Sequence, residues 1–117
     1  MPPLRIATYP GDGIGRAVTE SAVQVLEKVC ARHAGLELEH EWFDWGCDYY
    51  DQHGKAAPDD AVDQMRPFDA IFLGAVGYPS RAPDHITLEP LIRIRQAFDQ
   101  YACVRPAQTF DGVRRPL

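Results

Sequence analysis

Two arginines are the residues of this sequence whose type and spacing best suit ligand chemistry. Arg95 lies in the segment LEPLIRIRQAFDQ, residues 88–100, and Arg105 follows it in a short run that stops at Pro106. A guanidinium can bind a carboxylate through two parallel hydrogen bonds, so two converging arginines suit a small polycarboxylate. Ion pairs with acidic side chains elsewhere in the fold are the alternative interpretation, and these two residues alone do not decide between them.

The spacing of apolar residues predicts that Arg95 points inward. At roughly 100° per residue, one arc of the predicted helix is apolar, and its members are Leu88, Leu91, Ile92, Ile94 and Phe98. Arg95 falls inside this arc, whereas Arg93 falls on the opposite, solvent side. An inward arginine loses several kcal/mol of hydration unless an anion meets it, and that anion is either a bound carboxylate or an acidic side chain of the protein.

Composition restricts the class of protein. The chain has 117 residues and a net charge of −5, so it forms one domain or less, and a basic nucleic-acid-binding surface is not expected. No apolar run approaches the length of a membrane span, and the N-terminus lacks the apolar core of a signal peptide. The three cysteines, Cys30, Cys47 and Cys103, are widely spaced and show no metal-binding pattern, which predicts reduced thiols in a cytoplasmic protein.

The hydrophobic pattern predicts alternating strands and helices. Strands are predicted at residues 4–9, 36–42, 70–76 and 101–105. Helices are predicted at residues 16–33, in a short segment opened by Pro58, and at residues 88–100, with a loop at residues 44–55. The order β-α-β-α-β-α-β predicts a layered α/β fold with a largely parallel sheet and flanking helices. The run at residues 70–76 has no alternation, which is typical of a strand buried on both faces.

The glycine-rich turn GDGIG after the first strand lies where ligands bind in parallel sheets, beyond the carboxyl ends of the strands. Its spacing does not match the dinucleotide fingerprint GxGxxG, because Arg16 occupies the third glycine position and Gly15 comes one residue too early. The turn is therefore either a plain strand-to-helix turn or a binding loop of another kind.

Five motifs in one order carry a family resemblance. They are PGDGIG at 10–15, WGCDYYDQHGK at 45–55, FDAIFLGAVGYP at 68–79, PDHITL at 83–88 and IRQAFDQY with VRP at 94–106. Together they resemble the N-terminal third of the isocitrate/isopropylmalate dehydrogenase family. Within it, DYYDQHGK, GAVGYP and PDHI are most similar to the tartrate and D-malate dehydrogenases. The resemblance implies an isopropylmalate-dehydrogenase-like fold that is incomplete in residues 1–117.

The resemblance also implies chemistry. Members of this family oxidise the hydroxyl of a malate-like substrate with NAD or NADP on a divalent metal, Mg²⁺ or Mn²⁺, and then decarboxylate the 2-keto acid. By matching motifs, substrate binding is expected at Arg95, Arg105 and Leu91. The nicotinamide end of the cofactor is expected at Ile14, Gly74, Ala75 and Val76.

The start of the helix that carries Arg95 is expected to select the substrate. Isocitrate enzymes resemble one another in having Ser and Asn there to meet a third carboxylate, whereas this chain has Glu89 and Leu91. We therefore expect a four-carbon dicarboxylate such as D-malate or tartrate. 3-Isopropylmalate stays open, since Leu88, Leu91 and Ile92 could face an alkyl group. Departures from the family pattern are Leu88-Glu89-Pro90, Arg93 and Arg16-Ala17.

By the same resemblance, the remaining machinery belongs after Leu117. This includes the catalytic lysine and tyrosine, the metal-binding aspartates and the residues that decide between NAD and NADP. No catalytic or metal-binding residue is expected within the chain, nor tight binding of NAD or metal to it. The isolated chain is expected to be inactive and prone to self-association, and the full-length enzyme to be a homodimer. A non-catalytic domain that binds a dicarboxylate or a partner is the alternative.

Overall fold

One parallel sheet forms the centre of the molecule. The computed structural model of the protein describes residues 2–114. Its strands are β1 (Leu4–Gly11), β2 (Leu38–Trp42) and β3 (Ala70–Ala75), in the order β2-β1-β3. Both pairings are parallel, with Ile6 of β1 opposite His40 of β2 and Ala70 of β3.

Helices connect and flank the strands, in agreement with the predicted layered α/β fold. They are α1 (Gly15–Cys30), α2 (Cys47–His53), α3 (Ala61–Met65), α4 (Asp84–Thr87) and α5 (Glu89–Ala97). Because β1 lies between its two partners and runs parallel to both, the carboxyl ends of all three strands meet at one edge of the sheet.

The main core lies between the sheet and the layer that contains α3 and α5. Successive residues of a strand point to opposite faces, so Ala7 and Tyr9 of β1 share one face. They belong to a cluster of buried residues whose other members are Phe43, Trp45, Ala57, Ala61, Met65 and Ile94. The opposite face of β1 and β3 is covered by α1, whose buried residues are Gly15, Thr19 and Val23.

The loop predicted at residues 44–55 is wrong in its centre, where the chain forms α2. This helix begins after Gly46, whose backbone has φ of +124°, and ends at Gly54, which is left-handed. The amide of Cys47, its first residue, is capped by the side chain of Asp12, 35 residues earlier in the chain. A local reading of the sequence could not find this helix, because its capping group is not local.

The strand predicted at residues 101–105 is also wrong. In the structure this segment is exposed and belongs to no strand, and Tyr101 is 94% exposed. In the described part of the chain, β3 therefore has a neighbour on one side only. Its residues Ile71–Ala75 are half-buried, not buried on both faces as the apolar run predicted.

The carboxylate of Asp12 joins the segments that follow the three strands. One oxygen accepts a hydrogen bond from the amide of Cys47 (2.6 Å) and the other from the amide of Gly77 (2.9 Å). The backbone amide of Asp12 donates to the carbonyl of Ala75 at the end of β3 (2.6 Å). Asp12 itself is only 7% exposed. One side chain thus fixes α2 and the loop after β3 onto the turn after β1.

The last glycine of the turn is required by close packing. A β-carbon at Gly15 would overlap the carbonyl oxygen of Pro10 and lie 2.8 Å from the oxygen and 2.9 Å from the nitrogen of Ala75. All three are backbone atoms, so no side chain can move aside. The first turn of α1 therefore lies directly against the ends of β1 and β3.

We predict that Asp12→Ala destabilises the protein by about 2–4 kcal/mol, because two backbone amides lose a charged acceptor at once. Urea unfolding followed by tryptophan fluorescence measures this change. Asp44→Ala is the matched control, since Asp44 is an exposed acid whose partner is Arg16, and its loss should cost less than about 1 kcal/mol. Equal effects of the two substitutions would contradict the anchoring role of Asp12.

We predict that Gly15→Ala also destabilises the protein, by about 1–3 kcal/mol, because the added methyl group forces the backbone apart. Ala17→Ser, at an exposed position two residues later in α1, is the control and should change stability by less than about 0.5 kcal/mol. An unchanged urea midpoint for Gly15→Ala would show that the turn tolerates the shift.

Candidate functional site

A cavity of about 270 Å³ opens at the carboxyl edge of the sheet. Its lining comes from the glycine-rich turn, α2 and the loop after β3: Gly11, Asp12, Gly13, Arg16, Cys47, Asp48, Tyr78 and Arg81. The ring of Tyr78 lies against the turn, 3.7 Å from where a β-carbon of Gly13 would be. Two arginines, two aspartates and one aromatic residue therefore border this opening.

Three of the four residues predicted to bind the cofactor lie at this edge. Ile14 is 71% exposed at the start of α1, Ala75 ends β3 beside the turn, and Val76 follows it. The carbonyl of Ala75 is already occupied by the amide of Asp12, which holds the end of β3 against the turn. The structure brings these residues together, and their binding of a cofactor stays a prediction.

Gly74 has a different position from the other three. A β-carbon there would overlap the carbonyl oxygen of Pro10 and the hydroxyl of Thr19, and would lie 3.0 Å from the carbonyl of Gly15. The absence of a side chain at Gly74 is thus explained by the packing of β3 against β1 and α1.

The predicted inward orientation of Arg95 is wrong. Arg95 is exposed, whereas Arg93 is half-buried and donates hydrogen bonds to the carbonyls of Asp59 (3.0 Å) and Pro58 (3.1 Å). Arg93 also pairs with Glu89, at 3.1 Å between Nε and Oε1. In the described part of the chain, the arginine of α5 that packs against a neighbouring segment is therefore Arg93.

The physical reason lies in the position of the buried stripe on α5. Pro90 and Ile94 are buried, whereas Ile92, which the helical wheel placed inside, is 52% exposed. At about 100° per residue, Arg93 and Arg95 lie on opposite flanks of this stripe. The start of α3 covers the flank of Arg93, so the neighbouring segment decides which arginine is packed.

Arg95 and Arg105 act on the same thiol. The Nε of Arg105 donates to the sulfur of Cys103 at 3.5 Å. This hydrogen bond and the charge of Arg105 lower the pKa of the Cys103 thiol, and the charge of Arg95 lowers it further. Of the two arginines predicted to bind carboxylates, Arg105 therefore contacts Cys103, whereas Arg95 acts on this thiol through its charge alone.

Leu91, the third residue predicted to contact substrate, is half-buried. Ile92 is the exposed apolar residue one turn from Arg95. If substrate lies along this face of α5, Ile92 is more accessible to it than Leu91.

Cys47 forms a contrast to Cys103. Burial, followed by the hydrogen bond and charge of Asp12, raises the pKa of its thiol to about 11. With 2% of its surface exposed, this thiol is protonated and inaccessible at neutral pH. Burial together with the charge of Asp12 also raises the pKa of Tyr9 above its ordinary value.

Two contributors to this edge were not recognised from the sequence. Asp12 is the acidic residue inside GDG, and its position between two glycines of a tight turn was its only signal in the local sequence. Arg81 lies in the loop after β3, and its partners Asp48 and Asp51 are at least 30 residues away in the chain. Contacts of such sequence separation have no local signature.

Residues 2–114 contain no group of three or more His, Cys, Asp or Glu side chains placed to hold a metal ion. Within the same range, no helix is both long and apolar enough to cross a membrane.

Comparison with known proteins identifies a family and relatives of this chain. The profile of the isocitrate/isopropylmalate dehydrogenase family matches residues 5–116. Tartrate dehydrogenase/decarboxylase of Pseudomonas putida is 50% identical over 112 residues, which cover 94% of this chain and 30% of that protein. D-malate dehydrogenase (decarboxylating) of Escherichia coli K12 is 46% identical over 119 residues, which cover 100% of this chain and 33% of that protein.

The fold has a counterpart among solved structures. The β-decarboxylating dehydrogenase of Thermococcus kodakarensis, in its apo form, superimposes with a TM-score of 0.64 and 28% identity, covering 84% of this chain and 27% of that one. The chain spans about a third of the length of the curated relatives it matches. From this match over nearly its whole length, the chain belongs to the isocitrate/isopropylmalate dehydrogenase family.

Proposed function

We propose that this chain is the N-terminal portion of a decarboxylating dehydrogenase that acts on a malate-like 2-hydroxy dicarboxylate, D-malate or tartrate. The observation that carries the proposal is the match of residues 5–116 to the isocitrate/isopropylmalate dehydrogenase family, in which the resemblance assigns substrate binding to two arginines, Arg95 and Arg105, that are exposed in this structure. Family membership and relatives named for tartrate and D-malate support the substrate class.

The charges of the two arginines are available to a ligand. Among residues 2–114, neither Arg95 nor Arg105 pairs with a carboxylate, whereas Arg81 and Arg93 do. The chain as a whole carries a net charge of −5, so an anion is attracted only where cations are placed locally. Two exposed guanidiniums without acid partners are available to supply such a local positive charge to a dicarboxylate.

The start of α5 supports a preference for four-carbon substrates. Leu91 and Ile92 offer no hydrogen bond to a third carboxylate, which would be left unpaired beside them. Glu89 contributes less than its charge alone suggests, because its carboxylate is paired with Arg93. The apolar surface of Ile92 still admits a small alkyl group, so 3-isopropylmalate is a second candidate substrate.

The residues of the carboxyl edge fit the nicotinamide end of a dinucleotide. Ile14 is 71% exposed and Val76 is half-buried beside the turn, so both offer apolar surface for a ring, while the ring of Tyr78 lies against Gly13. When bound, the cofactor supplies the acceptor for the hydride removed from the substrate. In this proposal Ile14 and Val76 orient the ring, while Arg95 and Arg105 hold the carboxylates of the substrate.

The described residues do not form a metal site by themselves. We therefore assign the metal ligands of the proposed enzyme to the part of the relatives' length that this chain does not span.

We predict that the product of the native gene, if its intact mass is near three times 13.1 kDa, forms NADH from D-malate or tartrate with Mn²⁺ or Mg²⁺. The kcat/KM for these substrates should exceed that for isocitrate by at least about tenfold, because the third carboxylate of isocitrate meets no partner. A higher kcat/KM for isocitrate would contradict the assignment. A product of 13.1 kDa that forms no NADH would exclude catalysis by this chain alone.

We predict that a dicarboxylate protects Cys103 from alkylation in the 117-residue protein. The pKa of Cys103 is lowered, so its reactive thiolate is populated at a lower pH than for an ordinary thiol. A dicarboxylate bound between Arg95 and Arg105 would neutralise their charge, raise this pKa and block access. Iodoacetamide labelling with peptide mass spectrometry should show slower modification of Cys103 with tartrate or D-malate than with NaCl at equal ionic strength.

Arginine variants test the same site. Arg95→Gln or Arg105→Gln should abolish the protection by tartrate, whereas Arg32→Gln, at an exposed position just after α1, should leave it intact. Protection that survives both substitutions would place the dicarboxylate elsewhere.

A further inference from the structure

The loop after β3 is fastened to α2 by a single side chain. Arg81 donates through Nη1 to Asp48 (2.7 Å) and through Nη2 to Asp51. The loop also has an internal turn, in which the amides of Arg81 (2.8 Å) and Ala82 (3.1 Å) both donate to the carbonyl of Tyr78. Ala82 is 2% exposed, so the end of this turn packs against the body of the protein.

The two attachments of the loop differ in chemistry. Gly77, at its start, is held by the buried carboxylate of Asp12. The arginine at its far end is held at the surface, where 38% of its side chain is exposed, as are 83% of Asp48 and 51% of Asp51. Between these points Tyr78 lies against Gly13 of the turn. The surface attachment of Arg81 therefore adds to the buried contacts at Gly77 and Ala82 in holding Tyr78 against the turn.

Charge makes this attachment specific to arginine. Asp48 and Asp51 lie one turn apart on α2 and repel each other when unpaired. One guanidinium between them neutralises both carboxylates, and their hydrogen bonds raise the pKa of Arg81 above its ordinary value. A neutral side chain at position 81 would lose both hydrogen bonds and leave the repulsion in place.

We propose that Arg81 is a positioning residue, an ionic latch that holds the Gly77–Pro83 loop, and with it Tyr78, against the glycine-rich turn at the entrance to the candidate cofactor site. The link to the cofactor rests on the function proposed above, whereas the latch itself is a property of the loop. Since the ion pairs are exposed, salt should open the latch, because at 1 M the screening length falls to about 3 Å.

The first test is hydrogen exchange of the loop in the 117-residue protein. We expect Arg81→Gln to accelerate exchange of the Ala82 amide by about three- to tenfold, as for the loss of two exposed ion pairs. The double substitution Asp48→Asn/Asp51→Asn should do the same, and combining all three should add little, because both sides of one interaction are then removed. The matched control Arg66→Gln breaks an exposed pair with Asp63 within α3 and should leave the loop unchanged.

The dependence of loop hydrogen exchange on salt separates an ionic role of Arg81 from a role in which its side chain only fills space. In the wild type, raising NaCl from 0.05 to 1 M should accelerate hydrogen exchange of the loop about as much as the substitution Arg81→Gln does. In the Arg81→Gln variant, the same increase in NaCl should have little effect. Equal exchange in wild type and Arg81→Gln, or an equal response of both to salt, would overturn the latch.

The functional consequence is tested in the full-length enzyme. There Arg81→Gln should raise the KM for NAD by about three- to tenfold while the KM for D-malate stays within about twofold, since Arg95 and Arg105 are untouched. Faster loop exchange with an unchanged KM for NAD would show that the latch does not position the cofactor site. If the wild-type enzyme forms no NADH, the proposed function fails, and the exchange results alone decide the latch.

Discussion

The buried carboxylate of Asp12 is the constraint on which the carboxyl edge of this protein depends. A buried carboxylate without hydrogen-bond partners would be costly. The position of Asp12 therefore requires the two hydrogen bonds that it accepts from the backbone amides of Cys47 and Gly77. Those amides begin α2 and the loop after β3. The requirement for hydrogen bonds at one aspartate therefore fixes how three separate segments of the chain meet.

The glycine pattern around Asp12 follows from the same constraint. Gly46 must come so close that a β-carbon would overlap the Asp12 carboxylate, and Gly15 so close that it would overlap the carbonyl of Pro10. The outer glycines of GDGIG, Gly11 and Gly15, therefore serve close packing of backbone on backbone, which the spacing of the dinucleotide fingerprint does not describe. One residue of the turn, Ile14, is left 71% exposed, and it is the one with apolar surface to offer a ligand.

The sequence predicted what local patterns determine and failed where distant contacts decide. The apolar period of α1 and the continuous apolar runs of β1 and β3 identified the parallel layered fold, because burial leaves such patterns in the sequence. α2 was missed because its capping carboxylate is 35 residues away. The segment 101–105 has the composition of a strand, but a strand also needs a partner, and the described part of the chain provides none.

The sequence predicted that Arg95 points inward and Arg93 outward, and the structure shows the reverse, which bears on which of the two can bind a ligand. A packed arginine such as Arg93 has its hydrogen bonds taken by the carbonyls of Pro58 and Asp59, so it is poorly placed to bind a ligand. An arginine that binds an exchangeable carboxylate must instead face an opening while no internal acid neutralises it. Arg95 meets both conditions in the described structure, together with Arg105 beside Cys103. Its binding of a carboxylate stays a prediction from the family resemblance, because the burial that first suggested it is not found.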